Sequence, residues 1–354
     1  MTDIRFAITT LKCDGEHLER MRRIFLPAHL EVVNHDDHRG LSRALEYADV
    51  AVIRTHLDQR FIDAPRLRWV HIDRAGLELS ARPEIFERGL LVSGSAGRSA
   101  PAIAEHALLF MLALCCQLPR FQDAQRRRRW GINKQQELRA LVGKTVGILG
   151  TGHTGSALAM RAQACGMRVL GYRRRQGDLP SGFDRVFCCE SGDTLEPLLN
   201  ESDFVVVALP LNDQTHQLIG DREMKRMRPG SYVVNVGRGA VIDEAALVTN
   251  LKTGHLAGAG LDTFTVEPLP YTSPLWSMPN VILTPHVTPR VPDRMARTLD
   301  ILEENLRRYR EGRMLINQLR PEDRYTGPAQ RAKMTARARR SAYRWMRALS
   351  RIFR

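Results

Sequence analysis

Three residues in the second half of the chain could together bind an acid and move a proton. Arg238 stands in the segment Asn-Val-Gly-Arg after an apolar run, Glu267 precedes a proline, and His286 closes the run Asn280–His286. A guanidinium stays charged and binds a carboxylate through paired hydrogen bonds. An imidazole titrates near neutrality, and an adjacent carboxylate raises its pKa, which suits it to general acid catalysis.

Taken singly, each of these three residues would more often be an ordinary surface or loop residue. Each, however, follows a different predicted strand, and open α/β sheets bind ligands at the carboxyl ends of their strands. Convergence of an Arg, a Glu and a His on one edge of a sheet favours a catalytic site over three unrelated positions.

A glycine turn in the middle of the chain predicts a dinucleotide site. The turn follows the predicted strand Thr145–Leu149 and opens the predicted helix Ser156–Cys165. In such a G-x-G-x-x-G turn the glycines permit a tight bend, close approach of the pyrophosphate and close helix packing, while the helix N-terminus attracts phosphate. The cofactor-binding residues predicted here are Gly150, Gly152, His153, Thr154 and Gly155.

The next predicted strand, Arg168–Tyr172, runs into three arginines, Arg173 to Arg175. An NAD site usually has an acidic residue there for the ribose hydroxyls, whereas arginine suits the 2′-phosphate of NADP. Arg173 and Arg174 therefore favour NADP over NAD. The alternative is a solvated run in a chain whose basic residues are nearly all arginine.

The elements that must position these residues alternate between strand and helix, which is typical of an α/β fold with a mainly parallel sheet. The first block contains the predicted strands Ile4–Thr9, Val50–Arg54, Leu67–Ile72 and Leu90–Ser93. The second contains, after Arg168–Tyr172, the predicted strands Phe204–Leu209, Tyr232–Val236, Ala259–Asp262 and Val281–Thr284. A long apolar helix is predicted over Pro101–Leu118 between the blocks, and another helix over Asp293–Arg310 follows them.

The charge of the chain is concentrated at its C-terminal end. The 354 residues suggest two domains, and the formal net charge is +14. Residues 324–354 hold ten basic and no acidic residues, which leaves 43 basic against 39 acidic residues, or +4, in the rest. Segment 324–354 is predicted to form a basic amphipathic helix. It would contact an anionic membrane, nucleic acid or a sister subunit, or else be a packing extension.

The remaining composition indicates a reduced, cytoplasmic protein without a metal site. No apolar stretch of signal-peptide type opens the chain, and the longest apolar run, Ala107–Cys116, is too short to span a bilayer. The six cysteines form no C-x-x-C pattern, and two pairs are sequence neighbours, a poor framework for disulfides.

Several motifs, in order, resemble those of the D-isomer-specific 2-hydroxyacid dehydrogenases, a family that includes phosphoglycerate, glyoxylate/hydroxypyruvate and formate dehydrogenases. The resemblance extends from about Leu67 to Leu306. Besides the glycine turn, it rests on the segments Ala104–Leu112, Val234–Arg238, Leu261–Asp262, Glu267–Pro268 and Thr284–His286.

The resemblance implies a role for each matching residue. Arg238 would grip the substrate carboxylate and carbonyl oxygen, His286 would protonate that oxygen, and Glu267 would keep His286 protonated. The loop after Arg74 would hold the substrate carboxylate with its backbone N–H groups. The substrate-binding residues of this loop are Ala75, Gly76 and Leu77, and the further cofactor-binding residues are Pro210, Thr215, Val236 and Asp262.

The resemblance also implies the architecture and the activity. A Rossmann domain, residues 99–288, would be inserted into a flavodoxin-like α/β substrate domain, residues 1–98 and 289–323, with the active site in the cleft and a homodimer formed through the cofactor domain. The expected activity is NAD(P)H-dependent reduction of a small, glyoxylate- or hydroxypyruvate-like 2-keto acid to the D-2-hydroxy acid. The alternatives are a phosphoglycerate dehydrogenase activity and an NAD(P)-sensing, corepressor-like binding protein.

Three positions near the expected pocket depart from the family pattern. Ser99 stands where Asn is frequent, Thr288-Pro289 follows the catalytic histidine where Ala-Gly or Ser-Gly is usual, and Glu78 replaces a common Asp. None of them removes the catalytic set, but each bears on which keto acid is used.

Overall fold

A computed structural model describes residues 3–287 and 291–326, and in it the named strands form two parallel sheets. The segment 327–354, most of the predicted basic helix, and the Thr288-Pro289 departure lie outside the described residues. The α/β class with two parallel sheets, the second of them of Rossmann type, agrees with the sequence-based expectation.

The first sheet has five strands in the order β2-β1-β3-β4-β5. Its strands are β1 Phe6–Thr9, β2 His29–Val32, β3 Val50–Ile53, β4 Trp69–Ile72 and β5 Leu91–Gly94. The helices that connect them are α1 Gly15–Phe25, α2 His38–Leu45, α3 Gln59–Asp63 and α4 Pro83–Arg88. Strands β3 and β4 are buried along their whole length, because helices cover both faces of the sheet.

The second sheet has seven strands in the order β12-β11-β10-β9-β6-β7-β8. Its strands are β6 Thr145–Leu149, β7 Arg168–Arg173, β8 Arg185–Cys188, β9 Phe204–Val207, β10 Ser231–Asn235, β11 Leu256–Leu261 and β12 Val281–Leu283. The helices α7 His153–Ala164, α8 Glu196–Glu201, α9 Asp221–Arg226 and α10 Glu244–Lys252 connect them. The strand order reverses between β6 and β9, which marks the ligand-binding crevice of such a sheet.

The helix between the sheets is shorter than predicted. Helix α5 spans Ala100–Cys115, and a second helix, α6, begins at Leu118 and ends at Arg126. Gln117 between them has a left-handed backbone with φ of 54°, and Pro119 in the first turn of α6 has no N–H to continue the α5 ladder. Apolar composition alone could not reveal this break.

Helix α11, Arg294–Arg310, returns the chain to the first sheet after the second is complete. Its Leu299, Leu302 and Leu306 are buried in the same cluster as residues of β1 and β4. The ring of Tyr309 stacks on that of Trp69, with 5.5 Å between centroids. Helix α11 therefore packs on the same α/β unit as strands β1 and β4.

Two edge strands, β2 and β8, were not predicted. Each shows only one or two buried residues out of four, so neither carries the continuous apolar run that marks a central parallel strand.

No single helix in the described ranges is long and apolar enough to cross a membrane. Helices α5 and α6 would pass such a test only as a pair, and they are bent by 66° at the break between them.

Candidate active site

The glycine turn has the geometry that a dinucleotide pyrophosphate needs. Gly150 has a φ of 101°, which an L side chain rarely adopts. A Cβ on Gly155 would overlap the carbonyl oxygen of Gly150, so only glycine lets α7 approach β6 this closely. Gly152 caps α7 without any side chain, and the space where its Cβ would stand is open. The helix N-terminus can therefore receive a phosphate, and the residues present fit NAD(P).

The neighbouring strand end supplies a loop on the other side of the crevice. Thr215 Oγ1 donates to the carbonyl oxygen of Pro210 at 2.7 Å and accepts from the N–H of Asn212 at 2.8 Å, which closes the loop after β9. Val236, at the end of β10, is buried. Pro210 and Thr215 thus lie in the loop after β9, the first residues of which, Ala208 and Leu209, border Gly150, and Val236 directly follows β10.

Arg238 is presented by a tight bend after β10. The Asn235 side chain donates to the carbonyl oxygen of Arg238 at 3.1 Å and accepts from the N–H of Gly237 at 3.0 Å. A Cβ on Gly237 would lie 2.7 Å from the carbonyl oxygen of Leu209. The bend after β10 therefore depends on the three-residue spacing between Asn235 and Arg238 and on a glycine at position 237.

The Arg238 guanidinium reaches the loop after β4. Its Nε donates to Glu78 Oε1 at 2.8 Å, and a Cβ on Gly76 would overlap its Nη2 atom. Within residues 3–287 and 291–326, the backbone N–H groups of Ala75, Gly76 and Leu77 donate to no acceptor. Unused N–H donors beside a guanidinium form a site for a carboxylate.

His286 and Glu267 form the pair that the sequence predicted. His286 Nδ1 lies 2.8 Å from Glu267 Oε2, and Glu267 Oε1 accepts from the N–H of Phe264 at 3.0 Å. Both carboxylate oxygens are thereby fixed. The His286 side chain remains 44% exposed.

The pair shifts both pKa values in the direction that keeps the imidazole charged. The hydrogen bond with Glu267 raises the pKa of His286, against an opposing effect of burial. Burial alone would raise the pKa of Glu267, but its hydrogen bond with His286 and the imidazolium charge outweigh burial, and the net shift is downward. His286 is thus held as a proton donor near neutral pH.

Asp262 fixes the turn that carries His286. Its Oδ1 accepts from Thr284 Oγ1 at 2.6 Å and from the N–H of Val287 at 3.1 Å. His106 of α5 lies 2.9 Å from the same hydroxyl, between its Nε2 and Thr284 Oγ1. His286 itself has a φ of 51°, a conformation that this network imposes on a non-glycine residue.

Comparison with known proteins agrees with this geometry. Residues 108–288, just over half of the chain, match the NAD binding domain of the D-isomer specific 2-hydroxyacid dehydrogenases. The chain belongs to this family. It is 37% identical over 277 residues to a glyoxylate reductase of Thermococcus gammatolerans, covering 74% of this chain and 81% of that protein. A glyoxylate/hydroxypyruvate reductase B of Pectobacterium carotovorum is 35% identical over 236 residues, 65% of this chain and 72% of the relative.

Solved structures give the same result. A D-isomer specific 2-hydroxyacid dehydrogenase from Xanthobacter autotrophicus, in complex with NADPH and MES, is 29% identical, with a TM-score of 0.74 and coverage of 90% of this chain and 98% of that one. The protein described here is accordingly an NAD(P)-dependent oxidoreductase, and the family expectation from its motifs is confirmed.

The arginines after β7 of this dehydrogenase have neighbours that the sequence did not reveal. Arg173 turns back onto the carbonyl oxygens of Gly177 and Asp178. Arg174 lies 3.7 Å from Glu322, and Arg175 lies 2.5 Å from the same carboxylate.

The segment that carries Glu322 connects the two parts of the dehydrogenase. Leu319 donates its N–H to the carbonyl oxygen of Val92 in the first sheet, at 2.7 Å. A few residues later, Thr326 donates to Asp213 in the loop after β9, and Tyr325 is buried in the core of the second sheet. Residues 319–326 therefore reach from the first sheet to the crevice.

A buried ionic cluster lies where the chain passes between the sheets. Asp73, at the end of β4, pairs with Arg98 just before α5 and with Arg294 at the start of α11. Burial lowers the pKa of Arg98 to about 9, with further repulsion from neighbouring arginines. Ser99, one of the departures from the family pattern, precedes α5 without a side-chain capping bond.

The contacts around the candidate site include residues that the sequence did not indicate. His106 and Thr284 lie inside motifs that were noticed, but their contact joins positions 178 residues apart. Asp73, Arg98 and Glu322 carry no local signal at all. Among the described residues, no three His, Cys, Asp or Glu side chains form a group that could hold a metal ion.

Proposed function

We propose that the protein reduces a small 2-keto acid to the D-2-hydroxy acid, with NADPH favoured over NADH as the hydride donor. The observation that carries this proposal is the convergence of Arg238, the free N–H groups of the Ala75–Leu77 loop and the His286–Glu267 pair on one cleft. The glyoxylate and hydroxypyruvate reductases among the relatives support a small substrate.

The residues divide the work as follows. Arg238 and the N–H groups of residues 75–77 bind the substrate carboxylate and fix the carbonyl carbon in place. A reduced nicotinamide, when bound, supplies the hydride to that carbon. His286 donates its proton to the carbonyl oxygen, so the C=O group becomes CH–OH, and Glu267 stabilises the imidazolium before transfer. Asp262 holds the His286 turn and borders the nicotinamide position.

The domain division is part of the proposal. Residues 1–98 and 289–323 would form the substrate domain and residues 99–288 the cofactor domain, since α11 packs on the first sheet. The cleft would then close by rotation about the two crossings near Arg98 and Arg294, both of which are tied to Asp73. Closure excludes water from the reacting carbonyl.

The cofactor preference rests on Arg173 and Arg174 at the end of β7. The structure with bound NADPH among the relatives supports it. Glu322 beside Arg174 reduces the positive charge available to a 2′-phosphate. Arg174→Ala should raise the KM for NADPH about tenfold or more and leave the KM for NADH nearly unchanged. Equal effects on both cofactors would argue against the assignment.

The quaternary structure is proposed to be a homodimer formed through the cofactor domain. Leu109 and Leu112 of α5 and Met160 of α7 are 53%, 46% and 58% exposed, and these two helices pack side by side. A second copy of the chain would cover this face. Light scattering should give twice the chain mass, and Leu109→Glu with Leu112→Glu should give a monomer.

A cytoplasmic location is proposed from the cysteines. All six are unpaired, as expected in a reducing compartment.

Removing the basic segment 327–354 and measuring dimerisation and binding to anionic vesicles and DNA would test the partners proposed for that segment.

The direct test of the function is oxidation of NADPH, with NADH in parallel, against a panel of 2-keto acids. Turnover of glyoxylate or hydroxypyruvate is the expected result. No turnover with any keto acid, despite cofactor binding, would favour a binding protein instead.

A further inference from the structure

A carboxylate lies beside the guanidinium and the loop that are expected to bind the substrate carboxylate. Glu78 begins a short 3-10 turn, Glu78–Ser80, immediately after the Ala75–Leu77 loop. Its side chain is only 15% exposed, and its Oε1 accepts from Arg238 Nε at 2.8 Å. The proposed reaction assigns no task to this residue.

The contacts of Arg238 limit how a substrate can approach it. Nε is taken by Glu78, and Nη1 donates to the carbonyl oxygen of Gly237 at 2.9 Å. Nη2 faces Gly76, where an added Cβ would overlap it and would lie 2.5 Å from Glu78 Oε2. The guanidinium, the loop and the Glu78 carboxylate therefore share one small space, and Nη2 is the atom that faces the loop.

The charge of Glu78 is retained in the cleft. Burial raises the pKa of Glu78, but the charge and hydrogen bond of Arg238 outweigh burial, and the net shift is downward. The positive charge of Arg238 is thus already balanced before any substrate enters. His286 and Glu267 balance each other in the same way. Taking an ion pair out of water costs free energy that an apolar contact would not cost. A contribution to folding stability therefore does not by itself account for the Glu78–Arg238 pair.

We propose that Glu78 selects the substrate by charge: it admits keto acids with a single carboxylate and an uncharged substituent, and it excludes dicarboxylic keto acids. This inference rests on the proposed function and specifies its substrate class. The unused N–H groups of residues 75–77 and Arg238 Nη2 can compensate the charge of one substrate carboxylate. A second carboxylate near the loop would have no such donors and would face Glu78 in a partly buried site, where like charges repel strongly. A hydroxymethyl group in place of that second carboxylate would instead donate a hydrogen bond to Glu78.

The test compares two keto acids of nearly equal size, hydroxypyruvate and ketomalonate, which differ by a hydroxymethyl against a carboxylate. The native protein should show a kcat/KM for hydroxypyruvate far above that for ketomalonate. Glu78→Gln should shift this ratio toward ketomalonate by about fivefold to a hundredfold, as expected for removing one charge at such a distance. An unchanged ratio would overturn the inference.

Two variants separate charge from positioning. Glu78→Asp keeps the charge but shortens the side chain, and the ratio should stay within about twofold of the native value. If Glu78→Asp relaxes the ratio as much as Glu78→Gln does, placement of Arg238 explains the effect and the charge proposal is wrong. Glu84→Gln is the matched control, since Glu84 pairs with Arg82 on the surface of the same domain, and it should leave the ratio unchanged.

A binding measurement keeps the inference separate from the proposed activity. Quenching of bound NADPH fluorescence reports the affinity of the complex for oxamate, which has one carboxylate, and for tartronate, which has two. The native protein should bind oxamate more tightly than tartronate. Glu78→Gln should reduce the ratio of the two dissociation constants at least fivefold. If no keto acid is reduced but this narrowing is observed, the activity proposal fails and the role of Glu78 stands. If the affinities do not change, the role of Glu78 fails whatever the activity.

Discussion

Two histidines of this protein occupy opposite environments. His286 lies at the cleft with 44% of its side chain exposed, and its Nδ1 is 2.8 Å from Glu267. His71 lies in the middle of β4, fully buried. Its two ring nitrogens are 3.0 Å and 2.9 Å from the hydroxyls of Ser93 and Ser95.

The same side chain therefore acquires opposite acid–base properties. The Glu267 carboxylate raises the pKa of His286, whereas burial, with a smaller effect of the Arg98 charge, lowers the pKa of His71 to about 3. The environment favours the charged form of His286 and the neutral form of His71. A histidine in the sequence thus indicates a possible proton donor only when its neighbours are known.

The sharpest test of this contrast is His286→Ala against His71→Ala. The first variant should lower kcat by about 10²- to 10⁴-fold, because the general acid is lost, while NADPH still binds with native affinity. The second should retain most of the native kcat at a temperature where it is folded. Full activity of His286→Ala in the NADPH oxidation assay would remove the catalytic assignment.

The structural role of His71 predicts a large effect on stability. His71→Ala should lower the free energy of unfolding by about 2–4 kcal/mol, because it leaves a cavity and removes one hydrogen bond from each of two buried serine hydroxyls. Urea unfolding monitored by circular dichroism measures this. His286→Ala, at a half-exposed position, serves as the comparison and should cost less than about 1 kcal/mol. Equal losses of unfolding free energy in the two variants would contradict the assignment of a structural role to His71 alone.

The lowered pKa of His71 also predicts how stability depends on pH. Between the ordinary pKa of 6.5 and about 3, the unfolded chain binds a proton at this position that the folded chain does not. The unfolding free energy should therefore fall as the pH falls through this window, by at most about 1.4 kcal/mol per pH unit for this group. His71→Asn should reduce that slope when unfolding is followed from pH 7 to pH 4.

The raised pKa of His286 predicts the pH dependence of reduction. Activity that needs the imidazolium is present at low pH and is lost as the pH rises through the pKa of His286. Glu267→Gln removes the carboxylate that raises this pKa, so the loss should begin at lower pH, with a roughly tenfold fall in rate at high pH for each pKa unit lost. A profile of kcat/KM from pH 5 to pH 9 tests this, and an unshifted profile would mean that Glu267 does not act on His286.

The site was predictable to the extent that its signals are local. Gly150 and Gly155 stand between a strand and a helix at a fixed spacing, and Asn235 and Arg238 form one bend through contacts three residues apart. Such features depend only on residues that are close together in the sequence. The order of Arg238, Glu267 and His286 along three successive strands also implies convergence, because parallel strands end at one edge.

Long-range electrostatic partners were not predictable in the same way. Glu78 and Arg238 are 160 positions apart, yet they form the ion pair that sets the charge of the cleft. Asp73 and Arg294 are 221 positions apart at the crossings between the sheets. The break of the apolar segment after Cys115 likewise depends on the backbone of one residue, Gln117.

The amino-acid sequence alone thus determined the α/β class and the glycine turn between a strand and a helix, and it predicted the reacting groups, because each of these signals depends on spacing within one or two elements. Only the tertiary structure decided which histidine favours the charged form, which carboxylate faces Arg238 and which carboxylate pairs with Arg174 and Arg175. These properties depend on the distances between side chains that are remote in the sequence and on how deeply those side chains are buried. Electrostatic interactions change steeply with distance and burial, and neither quantity can be read from a local pattern of residues.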